Sequence, residues 1–264
     1  MKVFAIANQK GGVGKTSIAV NLSATLAHYG QRALLIDLDP QGNATTGSGI
    51  DKSAVDKTLY GVLLGEYGVA DARVRADGQY DVLPANRELA GAEIELINID
   101  RREFRLKDAI EAVVDDYDFV VVDCPPALNM LTVNALTAAD SVIIPMQCEY
   151  YALEGLSDLV GTLRKVKANL NPRIEIEALI RTMYDPRSSL TNQVSDEIKS
   201  HFGDKVFDTV IPRNIRIAEA PSFGKPVIIY DPASKGAMAH MAFARELLGR
   251  QGIKILKMEE AKVA

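Results

Sequence analysis

Short runs of apolar residues alternate along this chain with segments whose apolar residues recur at helical spacing. The short runs have the length and composition of buried parallel strands, which are apolar on both faces. They predict strands at residues 3–7, 33–37, 80–85, 118–123, 141–145, 174–183 and 206–211. The helical spacing predicts helices at residues 18–30, 89–96, 101–117, 129–139, 188–202 and 235–248, and one that follows residues 149–155 and ends near residue 170. Only short helices and loops are expected over residues 44–78, because the periodicity there is weak.

This order of elements predicts the fold class. Strands joined through helices by short links form βαβ units, and a succession of such units builds an α/β fold with a doubly wound, mainly parallel sheet flanked by helices. At 264 residues the chain fits one large domain of this kind. We therefore expect a single domain over residues 1–250, followed by a flexible C-terminal tail at residues 251–264.

A glycine-rich segment between the first strand and the first helix carries the clearest chemical signal. Glycines there let backbone N–H groups turn towards an anion, and the start of the helix adds its positive dipole end. The pattern predicts a phosphate-binding loop in which Lys15 reaches the terminal phosphates of a nucleotide and the Thr16 hydroxyl binds Mg²⁺. The residues expected to contact the nucleotide are Lys10, Gly11, Gly12, Val13, Gly14, Lys15, Thr16 and Ser17.

The loop departs from the usual G-x-x-x-x-G-K-[ST] pattern at its beginning. Gln9 occupies the position of the first glycine, and a second lysine, Lys10, precedes the glycines. Glycines before a helix can also form a simple tight turn. The preceding strand, the following helix and two carboxylate motifs further along the chain favour the nucleotide site instead.

Those carboxylates follow two of the predicted strands. Asp37 and Asp39 come at the end of the strand at residues 33–37, at the sheet edge where open α/β folds bind ligands. Asp123 ends the most apolar strand and is followed by Cys124 and two prolines, which is typical of the Walker B aspartate that holds Mg²⁺. Asp123 could instead cap the helix at residues 129–139. The metal role is favoured because the strand that Asp123 ends is in register with the phosphate-loop chemistry upstream.

Composition and charge limit the remaining possibilities. A net charge of −5 argues against a protein that binds nucleic acid over its whole surface. Cys124 and Cys148 are too few for a disulfide framework, and we expect both to be reduced and buried rather than ligands of an iron–sulfur cluster. We find no leader and no apolar run of membrane-spanning length, so a cytoplasmic protein is expected. The histidines, at residues 28, 201 and 240, lack metal-ligand spacing.

Several motifs together resemble the ParA/Soj family of chromosome- and plasmid-partitioning ATPases. They are K-G-G-x-G-K-T at residues 10–16, D-x-D-P-Q-G-N at 37–43, E-Y-Y-A-L-E-G at 149–155 and P-R-N-I-R at 212–216, so the resemblance spans roughly residues 1–250. It implies that Lys10 crosses to the nucleotide of a second subunit. It further implies that Asp39 orients the attacking water and belongs, with Thr16 and Asp123, to the metal site. It also implies that residues 149–155 lie near a dimer surface and that Pro212 and Asn214 contact the adenine.

The resemblance implies a function as well. A slow ATPase that uses ATP and Mg²⁺, with Lys10, Lys15 and Asp39 as catalytic residues, would form a homodimer when ATP is bound. The dimer would bind double-stranded DNA without sequence preference on the nucleoid, until a ParB-like centromere-binding partner stimulates hydrolysis. Arg187 and Arg216 match positions that the family uses for DNA. Residues 160–240 carry 12 Lys/Arg against 9 Asp/Glu, which agrees with a local basic patch.

Three other classes stay open at this point. A MinD-like ATPase would bind a membrane through a C-terminal amphipathic helix, but the apolar face at residues 252–260 is short and ends in two glutamates, so no membrane partner is expected. A metabolic P-loop kinase or synthetase should show a motif for its second substrate, and we find none. A DNA-binding module without enzymatic activity would not need the phosphate loop.

Overall fold

The computed structural model describes residues 1–255, and its centre is an eight-stranded sheet. The strands are β1 (Lys2–Ile6), β2 (Ala33–Asp37), β3 (Val74–Arg75), β4 (Asp81–Leu83), β5 (Phe119–Asp123), β6 (Ser141–Gln147), β7 (Glu175–Tyr184) and β8 (Val206–Pro212). Their order across the sheet is β3-β4-β2-β5-β1-β6-β7-β8, and every neighbouring pair is parallel except β3 and β4. The predicted α/β class with a mainly parallel sheet is confirmed.

Helices cover both faces of this sheet. They are α1 (Lys15–His28), α2 (Asn43–Gly47), α3 (Leu59–Leu64), α4 (Val69–Ala72), α5 (Leu89–Glu95), α6 (Arg105–Glu111), α7 (Met130–Ala138), α8 (Ala152–Asn169), α9 (Ser189–Phe202), α10 (Ile215–Glu219), α11 (Val227–Tyr230) and α12 (Lys235–Arg250). Side chains along β1 alternate between two apolar cores, with Val3 and Ala5 in one and Phe4 and Ile6 in the other. Because both faces are covered, the strand is apolar from Val3 onwards, as its sequence indicated.

The strand order brings three loops to one edge of the sheet. Strand β5 lies between β1 and β2, so that Asp123 at its end pairs in register with Ile6 on one side and Asp37 on the other. The loops that follow β1, β2 and β5 therefore begin side by side. These loops carry the glycine-rich segment and the two carboxylate motifs that the sequence singled out.

The structure corrects the predicted helix at residues 101–117. A 3-10 turn occupies residues 102–104, and α6 ends at Glu111. Tyr117 is buried and donates a 2.7 Å hydrogen bond to Asp81, which begins β4. The chain therefore leaves the helix early, since Tyr117 must reach the sheet before β5 starts at Phe119.

Two loops beside this edge touch through their backbones. Gly49 follows α2, and Gly224 follows a 3-10 turn at residues 220–223; their φ angles are +83° and +61°. A Cβ atom at Gly49 would lie 2.8 Å from the carbonyl oxygen of Gly224, and one at Gly224 would lie 2.8 Å from the Cα of Gly49. Both the left-handed backbone and the close approach thus require glycine at each position.

Candidate functional site

The glycine-rich segment forms an open loop around the start of α1. Gly12 and Gly14 have φ angles of +75° and +91°, which glycine adopts without strain. Within residues 1–255, the backbone N–H groups of residues 11–17 make no hydrogen bond. The Lys15 ammonium is buried in the loop and donates to the carbonyl oxygen of Lys10 at 3.1 Å, while burial lowers its pKa. This arrangement of free N–H groups and one lysine fits the phosphates of a nucleotide.

Asp123 lies deep beside this loop. Its side chain is fully buried, and neither carboxylate oxygen has a hydrogen-bonding partner in the described part of the chain. Burial raises its pKa well above the usual range, and the nearby Asp37 carboxylate adds to the effect, whereas Thr16 and Lys15 oppose it. A buried carboxylate without a partner is costly. Together with the adjacent Thr16 hydroxyl, it would hold a magnesium ion, which supplies positive charge for the phosphates of a nucleotide.

The two aspartates after β2 have different environments. Asp37 is fully buried and accepts hydrogen bonds of 2.7 Å from both the backbone N–H and the hydroxyl of Thr45, so it holds the segment that contains α2. Burial raises the pKa of Asp37 to about 6, and the bonds from Thr45 act in the opposite direction. Asp39 is partly exposed, and its carboxylate accepts only the N–H of Gln41, at 2.9 Å, among the described contacts. Asp39 is thus the more exposed of the two, and its charge acts on both Lys15 and Asp123.

Lys10 does not point into its own loop. Its ammonium forms a 2.5 Å ion pair with Glu149, the first residue of the E-Y-Y-A-L-E-G motif, and both side chains are about half exposed. The next two residues, Tyr150 and Tyr151, are strongly exposed and contact each other edge to face. The sequence did not predict the pairing with Glu149, because 139 residues separate the two groups.

Pro212 and Asn214 lie at a cavity of about 250 Å³ that Gly14 and Ser17 of the loop also line. The Asn214 side-chain oxygen accepts the N–H groups of Arg216 and Ile217 and so caps α10. Its amide nitrogen makes no hydrogen bond among the described contacts. The structure therefore brings the predicted base-binding residues next to the phosphate loop.

The two arginines predicted to bind DNA follow neighbouring strands. Arg187 lies in the loop after β7, and Arg216 lies in α10, which follows β8. Arg187 is exposed and makes two 2.9 Å hydrogen bonds to Asp185. Arg216 makes ion pairs of 2.9 Å with Glu219 and 3.2 Å with Asp231. Both guanidinium groups reach solvent, but neighbouring carboxylates offset their charge.

Both cysteines are free and buried, as predicted. Burial raises the pKa of Cys148 to about 11 and raises that of Cys124 as well. Neither thiol is therefore activated as a nucleophile.

Comparison with known proteins identifies the family. A family model described as an AAA domain matches residues 1–176. The chromosome partitioning protein ParA of Caulobacter vibrioides is 54% identical over 254 residues, which is 95% of each chain. The sporulation initiation inhibitor protein Soj of Bacillus subtilis is 54% identical over 247 residues, 93% of this chain and 98% of that one. The chain belongs to the ParA/Soj family of partitioning ATPases.

The chain is also similar to a protein whose structure was solved with a nucleotide analogue bound. Cobyrinic acid a,c-diamide synthase from Mycobacterium smegmatis, with a bound ATP analogue and magnesium, is similar to this ParA/Soj-family ATPase with a TM-score of 0.84 and 37% identity. The alignment covers 97% of this chain and 98% of that one. Although that protein bears the name of a synthase, the identity to the partitioning proteins is higher. The predicted ATPase is confirmed.

Another of the alternatives was a MinD-like ATPase that binds a membrane through a C-terminal amphipathic helix. Among residues 1–255, no helix combines the length and the apolar character needed to cross a bilayer. The amphipathic segment at residues 252–260 and the tail at residues 251–264 fall mostly on residues 256–264, which lie outside the described residues.

Proposed function

We propose that this protein is a DNA-partitioning switch in which ATP joins two copies of the chain. The observation that carries the proposal is the different placement of the two loop lysines. Lys15 is buried in its own phosphate loop, whereas Lys10 points away from it towards Glu149 on the surface. Phosphoryl transfer to water needs additional positive charge at the γ-phosphate, and Lys10 can supply it only to a nucleotide outside its own loop. A second subunit provides that nucleotide.

The other site residues divide the remaining work. The N–H groups of residues 11–17 and Lys15 hold the phosphates, while Thr16 and Asp123 hold Mg²⁺, which neutralises the phosphate charge when bound. Asp39 orients the attacking water beside the metal, since it is the exposed member of its pair. Pro212 and Asn214 contact the adenine. The cavity that these two share with Gly14 and Ser17 supports this assignment.

The DNA surface follows from the dimer. One arginine per subunit binds weakly, but a dimer presents each arginine twice, and nucleotide binding can thereby control DNA binding. Arg216 is the main candidate and Arg187 the second. Their ion pairs with carboxylates cost little to exchange for phosphate contacts, because exposed ion pairs stabilise by at most about 1 kcal/mol. The protein would thus be cytoplasmic and associated with the nucleoid. A ParB-like partner would stimulate hydrolysis and so release the protein from the DNA.

Two variants test the two halves of this proposal. Lys10→Ala should bind ATP but remain a monomer in size-exclusion chromatography with light scattering, because the contact across the interface is lost. Arg216→Glu should form the ATP dimer yet lose retention on arbitrary duplex DNA, and Arg187→Glu should be weakened less. Any residual DNA binding by Arg216→Glu should depend less steeply on salt than that of the wild type. The slope of log affinity against log salt should be smaller by about 2, because each of the two subunits loses one phosphate contact.

Arg75→Glu is the matched control for charge. Arg75 is also exposed and forms an ion pair, with Asp81, but it lies on β3 at the opposite edge of the sheet from β8. This variant should bind DNA like the wild type. A stable ATP dimer of Lys10→Ala would contradict the role of that lysine, and wild-type DNA retention by both Arg216→Glu and Arg187→Glu would refute the proposed surface.

A further inference from the structure

Two side chains hold the phosphate loop from the outside. The Thr182 hydroxyl on β7 donates a 2.8 Å hydrogen bond to the carbonyl oxygen of Val13. The Gln147 amide on β6 donates a 3.1 Å bond to the carbonyl oxygen of Gly12. Both residues lie where their strands approach the sheet edge, and Thr182 is almost completely buried, with 3% of its surface exposed. The loop is thus attached to the half of the sheet that lies beyond β1.

These bonds fix the direction of the N–H groups inside the loop. A peptide unit is planar and trans, so a carbonyl oxygen and the N–H of the following residue point to opposite sides. When Thr182 holds the Val13 oxygen outward, the Gly14 N–H points inward, towards the place of the phosphates. Gln147 acts in the same way on the peptide between Gly12 and Val13. Glycine-rich loops rotate easily, and an external hold removes that freedom before the ligand arrives.

The backbone next to Thr182 indicates that its position is strongly determined. Met183 has a φ angle of +50°, which is rare for a residue with a side chain. Its sulfur accepts a 2.8 Å hydrogen bond from the same Gln147 amide that bonds the loop. The Thr182 methyl group also lies against the loop, 3.9 Å from the point where a Cβ atom of Gly14 would be. Costly backbone conformations persist where the surroundings enforce them, often beside functional sites.

We infer that Thr182 is a positioning residue for the phosphates of the nucleotide, acting through the Val13 carbonyl without touching the ligand. Gln147 is the second, more exposed brace of the same loop. The inference rests on the proposed role of the loop in holding phosphates. Two strands outside the glycine motif thus help to set the affinity of the loop for nucleotide. They do so through the Thr182 hydroxyl and the Gln147 amide, neither of which belongs to a phosphate-loop sequence pattern.

The test compares Thr182→Val with Thr182→Ser. Valine keeps the shape but removes the hydroxyl, whereas serine keeps the hydroxyl. We expect Thr182→Val to bind ADP and Mg·ATP about tenfold more weakly by calorimetry, which is the typical effect of one buried hydrogen bond. Thr182→Ser should stay within about twofold of the wild type. In steady-state hydrolysis the KM for ATP should rise while kcat at saturation stays near the wild-type value, because the brace acts on binding.

Two further variants keep the result interpretable. Thr25→Val removes another fully buried hydroxyl, which donates to the Asn21 carbonyl within α1, so it controls for a general loss of stability. It should leave nucleotide affinity unchanged. Gln147→Leu removes the second brace at a partly exposed position and should weaken ADP binding severalfold even if Thr182→Val does not fold.

Each outcome decides the question. Wild-type affinity of a folded Thr182→Val, or a Thr182→Ser as weak as the valine variant, would overturn the role of the hydroxyl. If Thr182→Val does not fold, wild-type affinity of Gln147→Leu would overturn the bracing of the loop. Normal ADP binding by Lys15→Ala would instead contradict the proposed phosphate site itself, which separates the two failures.

Discussion

Replacing His240 should change how the stability of this protein depends on pH. His240 lies on the inner face of α12, is fully buried, and neither ring nitrogen has a hydrogen-bonding partner within residues 1–255. Burial alone lowers its pKa from 6.5 to about 3, and no neighbouring charge contributes. The imidazole therefore stays neutral in the folded chain at pH values where it is protonated in the unfolded chain.

The sign and size of the effect follow from this difference. As pH falls below 6.5, the unfolded state takes up a proton that the folded state refuses, so the free energy of unfolding decreases. At pH 5 the decrease from this one group is about 2 kcal/mol, since each pH unit below 6.5 contributes about 1.4 kcal/mol until the folded pKa is reached. His240→Leu fills a similar volume without a titrating group. It should therefore gain about 2 kcal/mol relative to the wild type between pH 7 and pH 5.

Urea unfolding followed by circular dichroism at pH 7, 6 and 5 measures this difference. Asp37 and Asp123 also titrate abnormally, with raised pKa values that act in the opposite direction, but both are present in each protein and cancel in the comparison. A variant of the exposed His28 controls for the loss of an imidazole as such. If the wild type and His240→Leu lose stability in parallel from pH 7 to pH 5, His240 is protonated in the folded state and the reasoning is wrong.

Three further predictions concern the nucleotide site. Lys15→Ala should weaken fluorescent ATP binding at least a hundredfold, since a buried, charge-assisted contact to phosphate contributes about 3 kcal/mol; near-normal binding would disprove the assignment. Asp39→Ala should bind ATP normally but hydrolyse it at least a hundredfold more slowly and accumulate as a dimer, because water is positioned only for the reaction; wild-type turnover would exclude that role. Glu149→Gln should release Lys10 and lower the ATP concentration needed for dimerisation, measured by light scattering. The change should be at most about fivefold, because the ion pair is exposed. If the variant needs more ATP than the wild type to dimerise, Glu149 assists the dimer instead.

The sequence predicted the parts of the molecule that depend on local pattern. The apolar runs gave the central strands within one or two residues, because strands buried on both faces admit few polar residues. Strand β3 was missed, since its two residues are too short for any periodicity and only their pairing with β4 defines them. Helix α6 was predicted too long, because the hydrogen bond of Tyr117 to Asp81 joins positions 36 residues apart.

The candidate site divides in the same way. The phosphate loop, Asp39 and Asp123 are recognisable because their spacing follows from one turn or one strand end. Asp37 was visible as a neighbour of Asp39, but its bonds to Thr45 depend on how the chain folds back after β2. Thr182 carries no sequence signal at all. The role proposed for it depends on the order of the sheet, in which β6 lies next to β1 and β7 lies next to β6.

The backbone contact between Gly49 and Gly224 has a mechanical consequence. Neither residue has a side chain at this point of contact, so a small displacement of one backbone there cannot be absorbed by a change of rotamer. Gly49 ends the segment that Asp37 and Thr45 hold beside the phosphate loop, and Gly224 closes the turn that follows α10, the helix of Arg216. A displacement of the segment beside the phosphate loop would therefore be transmitted through this contact to the turn next to α10. A side chain introduced at either glycine would force the two backbones apart.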